Sequence, residues 1–67
     1  MCLATVYIED KKMGNELEVV MEKTQAIDVN DDGTITCCNL FGEVRTIAGS
    51  IKSIDFDRSK VYLHVRP

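Results

Sequence analysis

Apolar and polar residues mostly alternate along this chain, and turn-forming residues interrupt the alternation about every 8–12 positions. A period of two places successive side chains on opposite faces of a strand. Alternation broken at that spacing predicts short antiparallel strands closed into a barrel or a sandwich. The first strand runs from Cys2 to Glu9, with Cys2, Ala4, Val6 and Ile8 on one face and Leu3, Thr5 and Tyr7 on the other. Both faces carry apolar groups, so one is expected to pack the core and the other to meet a partner.

The pattern then steps through the rest of the chain. Asp10 to Asn15 reads as a turn, and Leu17, Val19 and Met21 alternate with Glu16, Glu18 and Glu22, with Val20 breaking the polar face. Ile27 and Val29 mark a third strand, and Asn30-Asp31-Asp32-Gly33 a hairpin turn, because Asp-Gly readily supplies positive φ. Thr34 to Leu40 is the fourth strand and Phe41-Gly42 its turn. Val44 to Ile47, closed by Ala48-Gly49, is the fifth; Ile51, Ile54 and Phe56 mark the sixth. After the polar turn Asp57 to Lys60, Val61, Leu63 and Val65 alternate with Tyr62, His64 and Arg66 in the last. A helix over Asn15 to Ala26 competes, since Leu17, Val20, Met21 and Thr24 also fit a helical period and Asn15 can cap it. The strand reading is favoured. No repeat, linker or low-complexity segment is visible. The expected fold is all-β: a small antiparallel barrel of about six to seven short strands, forming one domain over residues 1–67.

Size adds a constraint. A chain of 67 residues buries only roughly 60% of its unfolded surface. Its single core supplies no more than about 3–5 kcal/mol, so a staple is expected. Three cysteines, two of them adjacent at Cys37-Cys38, cannot close a disulfide framework. With no signal-peptide pattern, they point to a reducing, cytoplasmic setting. No apolar run approaches the ~20 residues that span a bilayer, so no membrane partner is expected. Self-association is then the expected staple, with a metal as a second.

Eleven Asp and Glu oppose eight Lys and Arg, scattered rather than in blocks. Nucleic-acid binding needs a basic footprint, which this balance argues against. The alternative reading, a small RNA-binding barrel, would draw on Lys11, Lys12, Arg45, Lys52 and Arg58 with Tyr7 and Tyr62.

Cys2 is the residue with the most chemistry to offer. As an ordinary thiol it would be a small apolar group on the core face of the first strand. As a thiolate it is a soft metal ligand. With Met1 retained, the terminal amine, the Cys2 amide nitrogen and the Cys2 sulfur can close two adjacent chelate rings, a donor set suited to Ni(II) or Cu(II). One chain leaves the metal short of ligands; a two-fold dimer with both N-termini at the axis supplies the rest.

Other constellations are weaker. Asp28 to Ile35 resembles the opening of an EF-hand loop, with oxygen donors at the first, third and fifth places and Gly33 at the sixth. Asn39 stands where the bidentate glutamate belongs, and a tight hairpin explains the same residues. Cys37 and Cys38, vicinal on a strand, point to opposite faces and form no zinc knuckle. His64 falls on the outward face of the last strand, with no visible orienting partner for catalysis. The glycines form no phosphate-binding loop. No enzymatic constellation is present.

Three stretches carry a family resemblance: Met1-Cys2-Leu3-Ala4-Thr5-Val6-Tyr7, Asn39-Leu40-Phe41-Gly42-Glu43, and Ile47 through Phe56. With its similar length, the chain resembles the CooT family of small nickel-binding accessory proteins linked to maturation of nickel carbon monoxide dehydrogenase. The resemblance implies a homodimer of SH3-like β-barrels, with Ni(II) held at the dimer interface by Cys2. It implies a non-enzymatic role, and a nickel enzyme such as carbon monoxide dehydrogenase, or its maturation factors, as partner. It implies no metal role for Cys37, Cys38 or His64.

Overall fold

The computed structural model describes residues 3–10 and 16–66. Among these residues there are five strands: β1 (Ala4–Asp10), β2 (Glu16–Val29), β3 (Thr34–Asn39), β4 (Val44–Asp55) and β5 (Lys60–Val65). Each strand pairs antiparallel with the next. β1 then pairs in parallel with β5, from Thr5↔Lys60 to Ile8↔Leu63, and closes the sheet into a ring. The chain is all-β as the alternation predicts, but the expectation of six to seven strands is corrected to five.

The difference has a physical cause. β2 pairs with β1 as far as Thr24 and with β3 from Thr24 onward. β4 pairs with β3 over Val44–Ala48 and with β5 over Gly49–Asp55. Each long strand therefore serves two neighbours, and what read as a break is a bend. In β2 the bend carries a positive φ of 53° at Lys23 and a register shift between Thr24 and Ala26. In β4 a register shift lies between Ile51 and Ser53. Irregularities of this kind bend a strand and increase its twist. Gly49 is required by close approach rather than by a turn: a Cβ there would collide with the His64 carbonyl oxygen.

The core consists of Val6, Val20, Met21, Ile35, Cys37, Val61 and Leu63, with Ala4, Ile8, Ile27, Ile47 and Ile51 packed against it. In β1 and β5 the predicted alternation puts Val6, Val61 and Leu63 inward, although Val65 at the end of β5 is exposed; β3 alternates as well, with Ile35 and Cys37 inward. The first half of β2 does not. Leu17 and Val19 are exposed, whereas Val20 and Met21 are buried. A register shift in β1 between Val6 and Tyr7 changes the phase: Met21 faces Val6, but Val19 faces Tyr7. Burial at residues 20, 21 and 24 then imitates a helical period on a bent strand. That is why Asn15 to Ala26 supported both readings, although residues 16–26 lie within β2.

The hairpins on either side of β3 are built alike. In Asn30-Asp31-Asp32-Gly33, the Asn30 amide donates to the Thr34 carbonyl (2.9 Å) and the Gly33 amide to the Asn30 carbonyl (3.3 Å). In Asn39-Leu40-Phe41-Gly42, the Asn39 amide donates to the Glu43 carbonyl (3.0 Å) and the Gly42 amide to the Asn39 carbonyl (3.1 Å). Gly33 and Gly42 sit at φ 84° and 82°, where a Cβ would be strained. Asn-x-x-Gly thus recurs with β3 between its copies, a repeat that the sequence reading missed because only four residues define it. The side chains lock each turn. Asp32 accepts from the Thr34 hydroxyl (2.6 Å) and amide (3.1 Å), and Asn30 Nδ2 donates to the hydroxyls of Thr34 and Thr36.

Gly49→Ala forces β4 and β5 apart and lowers stability by about 3 kcal/mol, the upper end of the usual overpacking cost, read as a lower urea midpoint. The Thr34 hydroxyl and amide hold the Asp32 carboxyl below its ordinary range. Its folded pKa is therefore depressed. Its stabilisation is present above the unfolded value of about 3.9 and is lost as pH falls through the folded value. Asp32→Asn is expected to flatten the acid limb of the stability–pH curve and leave the neutral limb nearly parallel to wild type.

Candidate functional site

Cys2 and the basic residues Lys11 and Lys12 lie outside the described residues. Ala4 is the first residue of β1 and is held from both sides. It faces Thr24 across the antiparallel ladder. Its neighbour Thr5 donates its amide to the Ser59 carbonyl (2.9 Å), which extends the parallel pairing with β5. The chain therefore enters the fold between the bend of β2 and the turn that joins β4 to β5.

A cleft of about 400 Å³ opens at that place. Ala4, Ala26, Ile27, Ile54, Phe56 and Val61 give it an apolar lining, and Asp55 and Lys60 bring charge to it. Ile54 is 44% exposed and Phe56 84%. The charged side chains of the turn, Asp55, Asp57, Arg58 and Lys60, carry both signs in equal number. Thr24 also lines the cleft; it is buried to 3% exposure, and its hydroxyl has no hydrogen-bond partner among the described residues. A buried hydroxyl left unpaired costs about 1–3 kcal/mol, so a polar atom seated in this cleft would recover a hydrogen bond.

The remaining thiols have different surroundings. Cys37 is fully buried in the core, and that burial pushes its thiol pKa up against the opposing pull of Arg45, its cross-strand neighbour. Cys38 points to the other face, is half-buried, and directs its Sγ toward the Asn39 carbonyl at 3.6 Å. One inward and one outward is the arrangement that strand geometry predicts. His64 is exposed on β5, opposite Ser50. The polar groups of Asn30 and Asp32 are engaged within their own hairpin. Among the described residues no group of three His, Cys, Asp or Glu is placed to hold a metal ion, and the EF-hand-like stretch contains the β2–β3 turn.

Other residues of the RNA reading lie within the described strands. Tyr7 and Tyr62 stack on each other across the parallel β1–β5 pair, with ring centroids 5.4 Å apart. Lys60 Nζ lies 5.7 Å from the Tyr7 ring centroid. Sequence reasoning did not single out Lys60; the parallel register that brings it there has no local signal. Arg45 donates to the Val20 carbonyl (3.0 Å), and Lys52 pairs with Glu9 (3.0 Å). The second apolar face of β1 thus meets β5 of the same chain at Tyr7. Among the described residues no helix is long and apolar enough to cross a membrane.

Known proteins place this architecture. A solved structure of a CooT candidate from Carboxydothermus hydrogenoformans superposes with a TM-score of 0.83, covering 98% of this chain and 100% of that one at 21% identity. At that identity the likeness is one of fold. No curated protein matches the chain. The family model described as "CO dehydrogenase accessory protein CooT" matches residues 1–64, a span that includes both Cys2 and the strands around the cleft. The chain belongs to the CooT family of CO dehydrogenase accessory proteins.

Proposed function

We propose that this chain is a cytoplasmic nickel-binding accessory protein that holds Ni(II) as cargo between two copies of itself through their Cys2 thiolates, in an SH3-like dimer that serves a CO dehydrogenase. The observation that carries the reading is the family match over residues 1–64, which takes in the Met1-Cys2 opening. The role is one of binding and delivery rather than catalysis. The donor chemistry supports it. Cys37 is sealed in the core and disfavours the thiolate form, and Cys38 is turned toward a backbone carbonyl. Cys2, the remaining thiol, lies outside the described residues. Two thiolates from two copies, with nearby nitrogen, suit a borderline ion such as Ni(II).

The copy–copy face we assign is the surface around Ala4. It joins the entry point of the chain to an apolar cleft and to the exposed Ile54 and Phe56. Its equal numbers of acidic and basic side chains suit a two-fold contact, in which each patch meets its own image. The RNA reading is less favoured: Arg45 and Lys52 are engaged within the chain, and the net charge is −3.

Calorimetry on Cys2→Ser decides the metal claim. The variant is expected to lose nickel binding while sedimenting as the wild type does; an unchanged nickel affinity would refute it. For the wild type, nickel affinity is expected to rise with pH toward the ordinary thiol value of about 8.5, because ligation releases the thiol proton. Phe56→Glu tests the interface separately. It is expected to halve the sedimenting mass and to weaken nickel binding with it, whereas a dimer of normal affinity would place the contact elsewhere.

A further inference from the structure

The cleft beside Ala4 is a seam in the ring. From Thr24 onward β2 pairs with β3, and from Gly49 onward β4 pairs with β5. Among the described residues no ladder joins residues 25–27 of β2 to residues 54–56, and the cleft of about 400 Å³ opens between them. Phe56 stands at the lip of this seam without filling it: it lines the cleft, yet it is 84% exposed. Two other lining residues, Ala4 and Ala26, are alanines, which leaves room for a large side chain from outside. Burying an aromatic side chain removes about 150–250 Å² from water, so ring and seam each lack what the other offers.

The charges around the seam point to a second copy as the occupant. Counting the sequence neighbours of the lining residues, Lys23, Arg58 and Lys60 balance Asp28, Asp55 and Asp57. Asp55 and Lys60 are already engaged: the Asp55 carboxylate accepts from the Arg58 amide (3.1 Å), and Lys60 Nζ lies 5.7 Å from the Tyr7 ring centroid. The side chains of Asp57 and Arg58, both exposed and directly after Phe56, form no ion pair or hydrogen bond among the described residues. An acid and a base side by side match their own image. A two-fold axis beside Phe56 sets Asp57 of each copy toward Arg58 of the other, whereas a partner surface of one sign would oppose one of the two. The two-copy nickel reading also needs the starts of two β1 strands to meet across an axis. Ala4, the first residue of β1, lines this same cleft.

We propose that Phe56 of each copy inserts into the seam of the other, a reciprocal plug that fills both clefts and holds the two chain starts at one ion. The proposal rests on the two-copy nickel reading and adds the residue by which each copy completes its partner's cleft. Phe56 is a positioning residue here; it brings the ligands together and touches no metal.

Native mass spectrometry on the full chain, with variants alone and mixed, tests the plug. Phe56→Ala removes the ring, and Ala26→Phe fills the seam. Each variant is expected to keep the wild-type circular dichroism spectrum and to raise the dimer dissociation constant on the order of a hundredfold. Mixed in equal amounts, they are expected to form the heterodimer beyond its statistical share. There the A26F chain plugs the open seam of the F56A chain, and its own filled seam meets no ring. Nickel is expected to draw F56A back into dimers but not C2S/F56A, because one ion links both copies. Should A26F fail to fold, Ala26→Leu fills the seam with less bulk and carries the same comparison. A folded A26F dimer as tight as the wild type overturns the plug, as does a mixture in which the heterodimer holds no advantage; neither result touches the Cys2 claim. Nickel that dimerises C2S/F56A as well as F56A overturns the Cys2 claim and leaves the plug standing. A wild-type chain that stays monomeric at every concentration, with nickel and without, overturns both, and the seam then belongs to a different protein.

Discussion

Parallel pairing between β1 and β5 joins the two ends of the chain, and the core forms only once they meet. Val6 on β1 and Val61 and Leu63 on β5 are all buried, and the parallel register sets Val6 beside Val61 across the length of the chain. The same pairing stacks Tyr7 on Tyr62 outside. It also anchors Thr5 to Ser59, which fixes the point where the residues before Ala4 join the fold. A contact of such long sequence separation has a large loop-closure cost and is slow to form. Its reward is that no strand of the ring is left without two neighbours.

Closure with only five strands demands that two of them turn corners. The corner in β2 has consequences on both of its sides. The Lys23 carbonyl accepts from Leu40 and steadies the apolar tip. One residue later, Thr24 faces Ala4 and sits in the cleft beside the chain's entry. The β3–β4 tip and the proposed copy–copy surface are therefore anchored to adjacent residues of β2. Placing both at a bend gives each a rigid base.

The three thiols show how position decides chemistry. Burial makes Cys37 a core side chain, with its charged form disfavoured. Cys38, one residue on, turns outward to a carbonyl because strand geometry reverses direction at each step. Cys2 lies outside the described residues, and its metal role stands as the proposal above.

Much of this was legible in the residues. Alternation grouped Val6 with Ala4 and Ile8 on one face of β1 and Val61 with Leu63 on one face of β5, and the split between Cys37 and Cys38 follows from the period of two. Asn30 to Gly33 and Phe41-Gly42 announced their turns through local backbone preference. Local signals of this kind survive into the structure because they depend on neighbours within a few residues. What only the tertiary structure decided is everything that depends on distant neighbours. The continuity of β2 and β4 through their bends, the phase reversal that buries Val20 and Met21 and exposes Leu17 and Val19, and the approach of His64 to Gly49 belong here. So do the meeting of Tyr7 with Tyr62 and the cleft beside Ala4. Each is set by register between strands far apart in the chain, and register is a property of the closed sheet that no single strand encodes.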